Sequence, residues 1–358
     1  MCGLAGYLGG NSFESTEASK ELLSLMSKNI IHRGPDSSGI WLDEESRLGL
    51  AHQRLSVLDL TKAGHQPMIS KNNRYVIAYN GEIYNHLLLR KELKNSRQIS
   101  SWKGSSDTET LLSCIQEWGL KETLSRIEGM FSFALWDRKN RELTLTRDRI
   151  GEKPLYYGWQ NSTFLFASEL KALKVHPSFE GKLDKSSIDE YLRFNYVPGP
   201  NSIYKGIKKL PPGTFLTVSL DKKEPSLPIP YWNLLDVVKK GEENTFKGND
   251  LQAVDKLEEL LTSVVSQQLI SDVPLGAFLS GGIDSSLIVA IMQKVSANPI
   301  STFTVAFKEK GFNEAIYAKG VANYLGTDHK EIQVTSHDAL KTIPVSYTHL
   351  TLPTNREV

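Results

Sequence analysis

Residues 273–295 read VPLGAFLSGGIDSSLIVAIMQKV, and their order decides what kind of fold the second half adopts. VPLGAFLS is a short apolar run of the kind that forms a buried strand, and SSLIVAIMQKV has the texture of a helix. Between them stands SGGIDSS, residues 280–286. Its two glycines let the backbone approach a ligand closely and adopt conformations closed to other residues. Ser280, Ser285 and Ser286 add hydroxyl groups, and the free N–H groups of a new helix point at whatever lies in the turn. Such an assembly suits a phosphate or pyrophosphate. Asp284 would repel that anion unless a divalent cation sat between them, which makes Mg2+ a natural partner. The loop lacks the G-K-[ST] ending of a Walker A motif and is not a G-x-G-x-x-G turn. The competing reading is a plain strand–helix turn with a serine cap.

Working outward from this loop, ISTFTVAF reads as a second strand, EAIYAKGVANYLG as a helix and HKEIQV as a third strand. Strand, helix, strand, helix, strand implies a parallel sheet with right-handed crossovers. Upstream, a helix begins near Asp250 with Leu251, Val254, Leu257, Leu261, Val264 and Val265 on roughly one face. From Pro211 to about Gly248 the chain is rich in proline, glycine and charge (PPGTF, DKKEPSLPIP, KKGEENTFKGND) and reads as a connector with little core of its own.

The first two hundred residues mix α and β, with largely antiparallel strands. RYVIAYNGEIY reads as a strand ending at an Asn-Gly turn. FSFALWD and ELTLTRD form a hairpin across RKNR, and PLYYGW and TFLFASE form another across Gln160, Asn161 and Ser162. SKELLSLMSKNI and DTETLLSCIQEW read as helices, the second with an acidic first turn that suits the helix dipole. No internal repeat or low-complexity tract is evident.

Bulk properties narrow the class. The 358 residues suffice for two domains, and 40% hydrophobic with 23% charged residues is ordinary for a soluble globular protein. The net charge is +1, with no lysine–arginine run suited to nucleic acid or a membrane surface. Two cysteines support neither a disulfide framework nor a C-x-x-C metal pattern. With no stretch of about 20 apolar residues and no signal-peptide layout at the start, a cytoplasmic protein is expected.

One of those cysteines is at position 2, in MCGLAGYLGG. Removal of Met1 would leave Cys2 with a free α-amino group, whose ordinary pKa of about 7.7–8.0 keeps much of it neutral at cellular pH. A neutral amine within reach of the thiol, directly or through one water, can act as its general base. Position alone favours the plainer reading, a small buried cysteine at a strand start.

SGGxDS resembles the pyrophosphate loop of the ATP pyrophosphatases, and behind an N-terminal MCG the resemblance becomes specific. The chain resembles the glutamine-hydrolysing asparagine synthetases and their close relatives in the same amidotransferase family. The first half is similar to the class II glutamine amidotransferase domain through MCGLAGY, HRGPDSSG, HQRLSVLDL, GHQPM, YNGEIYNH, SSDTETLL, RDRIGEKPLYYG and FASELKAL. The second half is similar through LSGGIDSS, FTVAF and LGTDHKEI. The implied fold is an α+β N-terminal-nucleophile hydrolase, an αββα sandwich, over residues 2–210. A connector over 211–249 would lead to an α/β Rossmann-like domain of the adenine nucleotide alpha hydrolase type over 250–344.

The resemblance makes Cys2 the nucleophile that takes the acyl group of glutamine and releases ammonia. Arg54 would hold the α-carboxylate and Asp107 the α-ammonium. Asn80 and the Gly81 backbone N–H would form the oxyanion hole, and Glu82 would frame the pocket. In the second half, Ser280, Gly281, Gly282, Asp284 and Ser285 would meet the pyrophosphate of ATP, Asp284 would meet its Mg2+, and backbone groups near Leu279 and Val305 would hold adenine. Cys114 reads as a core residue. The histidines of HRGPD, GHQPM and TDHKE show no zinc-ligand spacing, and His329 is read as a packing residue. The implied activity is asparagine synthesis from glutamine, aspartate and ATP, with AMP and pyrophosphate as products. A relative amidating another carboxylate, such as a sugar acid, and a glutaminase-only fragment are the alternatives. The partners are small molecules, with neither nucleic acid nor membrane, and a homodimer is compatible with the resemblance.

One departure stands out. The family's synthetase domain continues through a later Ser-Gly-Glu loop and a lysine with no counterpart here. The last family-like run is HDALKTIP, and the tail over 345–358, VSYTHLTLPTNREV, has neither helical nor alternating periodicity. The expectation is an incomplete ATP domain of three strands that leaves glutamine hydrolysis uncoupled from amide transfer.

Overall fold

The computed structural model describes residues 2–10, 15–95, 101–220, 227–307, 313–338 and 340–341. The chain divides into two compact units, one running to Asp236 and one beginning at Val237.

The first unit contains, in order, β1 (Gly3–Gly9), α1 (Thr16–Lys28), β2 (Ser37–Asp43), β3 (Leu48–Arg54), β4 (Met68–Ile69), β5 (Tyr75–Ile83), α2 (His86–Asn95), α3 (Asp107–Trp118), α4 (Leu120–Arg126) and β6 (Gly129–Asp137). There follow β7 (Glu142–Arg147), β8 (Tyr156–Gln160), β9 (Thr163–Ala167), α5 (Leu170–Lys174), α6 (Lys185–Phe194), β10 (Lys208–Lys209), β11 (Thr214–Ser219) and β12 (Ile229–Pro230). They make two antiparallel sheets, ordered β10-β8-β9-β1-β3-β2 and β12-β11-β7-β6-β5-β4.

Alternation along the strands builds four layers. Leu4 and Leu8 of β1, Val76 and Ala78 of β5, Ala134 and Trp136 of β6, and Phe164 and Phe166 of β9 meet in one core between the sheets. The odd-numbered residues of the same strands point the other way. Ala5 and Tyr7 pack with Leu23 and Met26 of α1 and Leu173 of α5, while Ile77, Phe131 and Phe133 pack with Leu89, Leu111 and Ile115 of α2 and α3. The layering is therefore helices, sheet, sheet, helices. Burial on both faces explains why these strands read as nearly continuous apolar runs.

Two sequence expectations need correction. The Asn80-Gly81 pair is not a turn: β5 continues through it to Ile83, with Asn80 opposite Ser132 and Gly81 opposite Phe131. Glycine is required there for space, because a Cβ would lie 2.3 Å from the Met130 carbonyl and 2.7 Å from Phe131 Cα. The connector assigned to 211–249 also begins too early. Residues 214–219 form β11, pair with β7 and bury Leu216 and Val218 in the inter-sheet core. Its glycine and proline neighbours mark strand ends rather than a loose linker.

The helix α7 (Leu234–Glu243) straddles the boundary between the units. In the second unit, α8 (Asp250–Gln268), β13 (Gly276–Phe278), α9 (Ile283–Val295), β14 (Ser301–Phe307), α10 (Ala315–Leu325) and β15 (Asp328–Val334) follow. The strands run parallel in the order β13-β14-β15, as the alternation of strand and helix requires. Asn249 and Gln252 close a capping box at the start of α8. The apolar face foreseen for this helix is packed at its C-terminal end, where Val265 and Leu261 meet Ile291 and Met292. Leu251, Val254, Leu257 and Val264 are exposed, so their spacing reports a helix without reporting a buried face. No helix among the described residues is long and apolar enough to cross a membrane.

Trp136 tests the layering. It is fully buried between the sheets, its Nε1 donating to Asp43 at 3.1 Å. Trp136→Ala is expected to cost the first unit about 3–5 kcal/mol, read from its denaturant midpoint; a loss below about 1 kcal/mol would contradict a wholly enclosed site.

Candidate functional site

Parity along the strands brings the chemistry together. Asn80 shares the parity of Val76 and Ala78 in β5 and so belongs to the face that looks across the sandwich, and Cys2 immediately precedes β1. Cys2, Arg54, Asn80, Gly81, Glu82 and Asp107 line one cavity, together with Gln66, Tyr79, Ser106, Thr108, Met130 and Lys153. Every glutaminase residue named from the sequence is in that wall.

The thiol is set by β3's exit. Leu55 N–H donates to Cys2 Sγ at 3.4 Å, and Sγ reaches Leu55 O at 3.6 Å. Burial pushes the Cys2 thiol above its usual range, with the Leu55 backbone pulling the other way. Met1 lies outside the described residues.

Arg54 ends β3 and is nearly buried, with Nη1 donating to Thr61 O at 3.2 Å and Nη2 to Leu58 O at 3.1 Å and to Asp59 O. It thus holds the 58–61 loop while keeping N–H capacity for a ligand, since a guanidinium carries five donors. Gly64 leaves it room, because a Cβ there would fall 2.0 Å from Arg54 Nη2. Asp107 opens α3 behind the N-cap Ser106 and accepts from Tyr79 Oη at 2.8 Å and Ile83 N–H at 2.9 Å. Burial nevertheless raises its pKa.

Asn80 is 1% exposed, and neither its Oδ1 nor its Nδ2 has a hydrogen-bond partner among the described residues. An unpartnered buried amide costs about 1–3 kcal/mol, so a group in the cavity that bonded to it would recover that loss. Glu82, the next residue but one, titrates high: burial pushes it to about 7, Asp107 adds to the rise, and Lys153 opposes it.

Three further residues organise the site and were not singled out in the sequence. Arg33 Nε donates to the Cys2 carbonyl at 2.9 Å while its Nη1 meets Glu169 Oε1 at 2.9 Å. Glu169 also meets His32 at 2.8 Å and Lys171 at 3.1 Å. Asp59 accepts from Ser105 N–H at 2.8 Å and Thr61 N–H at 3.1 Å, joining the Arg54 loop to the approach of α3. The signal was their place in HRGPDSSG, FASELKAL and HQRLSVLDL. Cys114 is in the core under α3, where burial pushes its thiol up to about 12.

In the second unit, SGGIDSS occupies the turn from β13 into α9. Gly281 has φ +80°, and a Cβ on it would lie 2.6 Å from Tyr317 Cβ and Ala318 N. Gly282 is the N-cap and supplies no side-chain cap, leaving the first N–H groups of α9 for an anion. Ser280 Oγ and Ser285 Oγ are 2.8 Å apart, and Ser286 Oγ is buried without a partner among the described residues. These features fit a phosphate group. Asp284 is exposed in the first turn of α9, and the described residues hold no cluster of three or more His, Cys, Asp or Glu able to bind a metal. A cation there would need ligands from the bound phosphates. Leu279 N–H donates to Phe303 O at 2.9 Å and its carbonyl accepts from Thr304 Oγ1, so its backbone donor is already used. Val305 lies towards the carboxyl end of β14, the edge at which open parallel sheets bind ligands. His329 Nδ1 meets Thr302 Oγ1 at 2.9 Å, inside the sheet.

The first unit is thus a two-sheet sandwich with a cysteine ahead of a central strand, and the second a parallel unit with a phosphate-type loop. Residues 1–232 match the family described as glutamine amidotransferase domain, and residues 256–358 match the family described as asparagine synthase. The second match thus includes the aperiodic tail. Among relatives, asparagine synthetase [glutamine-hydrolyzing] 1 of Bacillus subtilis is 33% identical over 99% of this chain and 53% of its own length. Putative asparagine synthetase [glutamine-hydrolyzing] 2 of Methanocaldococcus jannaschii is 34% identical over 94% and 66%, and asparagine synthetase B of Escherichia coli 34% over 96% and 56%. The chain therefore spans about half to two thirds of the length of these relatives. It belongs to the glutamine-hydrolysing asparagine synthetase family.

Glu82 supplies a pH test. Its folded pKa of about 7 is above the ordinary 4.5, so the folded state holds this proton more tightly than the unfolded chain. The resulting stability is full below the ordinary value and is lost as pH rises through about 7. Glu82→Gln is expected to raise the melting temperature more at pH 8 than at pH 5, measured by circular dichroism; an equal change at both would contradict the shifted carboxyl.

Proposed function

We propose that the first unit hydrolyses glutamine at Cys2, and that the ammonia released aminates a carboxylate activated with ATP at the second. Aspartate is the acceptor the family match favours, giving asparagine, AMP and pyrophosphate. The observation that carries the glutaminase reading is the Asn80 side chain, buried with both polar ends unpartnered in the wall that holds Cys2.

The chemistry follows from the groups in the cavity. The buried thiol is protonated at rest and needs a base. With Met1 removed, the α-amine of Cys2 takes the thiol proton as Sγ attacks the amide carbon of glutamine. The negative charge on the amide oxygen is met by the Asn80 NH2 and the Gly81 N–H. Collapse of that intermediate breaks the C–N bond, the amine returns the proton to the leaving nitrogen, and ammonia departs from a glutamyl thioester. Water, activated by the same amine, then releases glutamate and regenerates the thiol. Arg54 and Asp107 hold the two charged ends of the substrate; an Arg–carboxylate pair of this kind is strong and oriented.

ATP supplies the activation of the acceptor carboxylate. Ser280, Gly281, Gly282, Ser285 and Ser286 would hold its phosphates, and Asp284 would face the accompanying Mg2+. A soluble protein acting on small molecules in the cytoplasm accords with this reading.

Cys2→Ala should abolish release of glutamate from glutamine. Asn80→Ala should lower kcat by about a hundred- to a thousandfold, the usual loss for one oxyanion donor, with KM little changed. Substantial turnover in the Cys2 variant, or an Asn80 variant altered in KM alone, would overturn these assignments.

A further inference from the structure

The mechanism above leaves one buried charge in the cavity without a task. Lys153 is 4% exposed and stands in the same wall as Cys2, Met130 and Glu82. Burying an ammonium is costly unless it meets opposite charge, and the fold spends several interactions on placing this one.

The loop between β7 and β8 is clamped on both sides of the lysine. Asp148 is fully buried, and its carboxylate accepts from Gly151 N–H at 2.7 Å, Glu152 N–H at 2.8 Å, Lys153 N–H at 3.0 Å and Phe131 N–H at 3.2 Å. Arg147 Nε donates to the Lys153 carbonyl at 2.8 Å and its Nη1 to Leu210 O at 2.9 Å. The backbone of Lys153 is thereby tied through its N–H to one buried ion and through its carbonyl to another. Side chains presented from such a clamp hold their aim because the backbone beneath them cannot drift.

We propose that Lys153 is a positioning residue of the glutaminase site, its ammonium serving as the counter-charge that keeps the Glu82 carboxylate an acceptor for glutamine. The proposal deepens the glutaminase reading and rests on it. The surrounding charges support it. Glu82 feels Asp107 across the cavity, which favours its neutral form, and Lys153, which favours its charged form. The phenols of Tyr79 and Tyr84 also lie in its field. Lys153 in turn feels Glu152, Asp148 and Glu82 as attractive charges and Arg33 as a repulsive one, while burial favours its neutral form. Lys153 is the cation that acts on Glu82 in this balance. Without it, burial and Asp107 are left to push Glu82 further above about 7, so that less of it is charged near physiological pH, and a neutral carboxyl loses acceptor capacity towards an amide NH2 or an ammonium.

The test is the pH profile of glutamine hydrolysis by the full chain, wild type against Lys153→Met and Lys153→Arg. Wild-type glutamate release establishes the underlying reading; its absence would overturn that reading and, with it, the role proposed for Lys153. Given turnover, Lys153→Met should move the acid limb of kcat/KM up from about 7 by about half to one pH unit, which at pH 7 is about a two- to fivefold rise in KM. The change in kcat should stay below about twofold, and at pH 9 KM should return close to wild type, because Glu82 is then charged in both forms. Lys153→Arg should keep the wild-type limb. In a Glu82→Gln background, Lys153→Met should add nothing to KM, a criterion that a merely structural role of the lysine would fail. An unmoved acid limb in Lys153→Met, an Arg variant as impaired as the Met variant, or additive effects in the double variant would each overturn the proposal.

Discussion

Cys2, the residue proposed as nucleophile, stands just ahead of the first strand, and its position depends on what ties that strand down. Here the tie is the Arg33 guanidinium, which grips the Cys2 carbonyl and is itself fixed by Glu169. The next residue but one continues the anchorage: Leu4 N–H meets Ser168 Oγ at 3.0 Å, and Ser168 N–H returns to Leu4 O at 2.9 Å. β1 then runs between β3 and β9 in the middle of its sheet, so the position of Cys2 is inherited from both neighbours. His32 and Lys171 complete the ring of charge around Glu169, whose carboxyl, despite burial, is held below its usual range by Arg33 and His32. An ion group of this kind contributes geometry more surely than net stability.

The rest of the site is assembled on the same plan, with a buried carboxylate at the root of each loop. Asp59 joins the loop that Arg54 holds to the segment entering α3. Asp107 is braced by Tyr79 and Ile83 of β5, and Asp148 gathers the turn after β7. Fully satisfied buried networks are rigid, and the penalty for breaking one is large. Among the described residues that line the cavity, Asn80 is the one with buried polar atoms left unpartnered, which is why it carries the functional reading.

Much of the architecture was legible because burial pattern and local propensity agree. DTETLLSCIQEW becomes α3 residue for residue, the hairpin across RKNR forms as expected, and the one expected across Gln160, Asn161 and Ser162 forms with Gln160 already in β8, paired with Thr163. Asn80-Gly81 misled because its turn preference is local, whereas Gly81 answers to the close approach of β6. β11 was hidden by the glycine, prolines and charges that flank it. Arg33, Asp59 and Lys153 escaped because a lone charged residue in a loop ordinarily faces water, and spacing alone does not reveal which ones the fold will bury. The helix α8 errs in the opposite sense: its apolar spacing was correct, while most of that face is exposed.

The central claim is that Cys2 is a nucleophile presented to the side-chain amide of glutamine. It is tested most directly by incubating the chain with a glutamine analogue bearing a diazoketone in place of the amide, then locating the adduct by peptide mass spectrometry. The account predicts one equivalent, confined to Cys2 freed of Met1, with glutamine protecting against it and Cys114 unmodified. Labelling of Cys114, or none at Cys2 in the correctly processed chain, would contradict it.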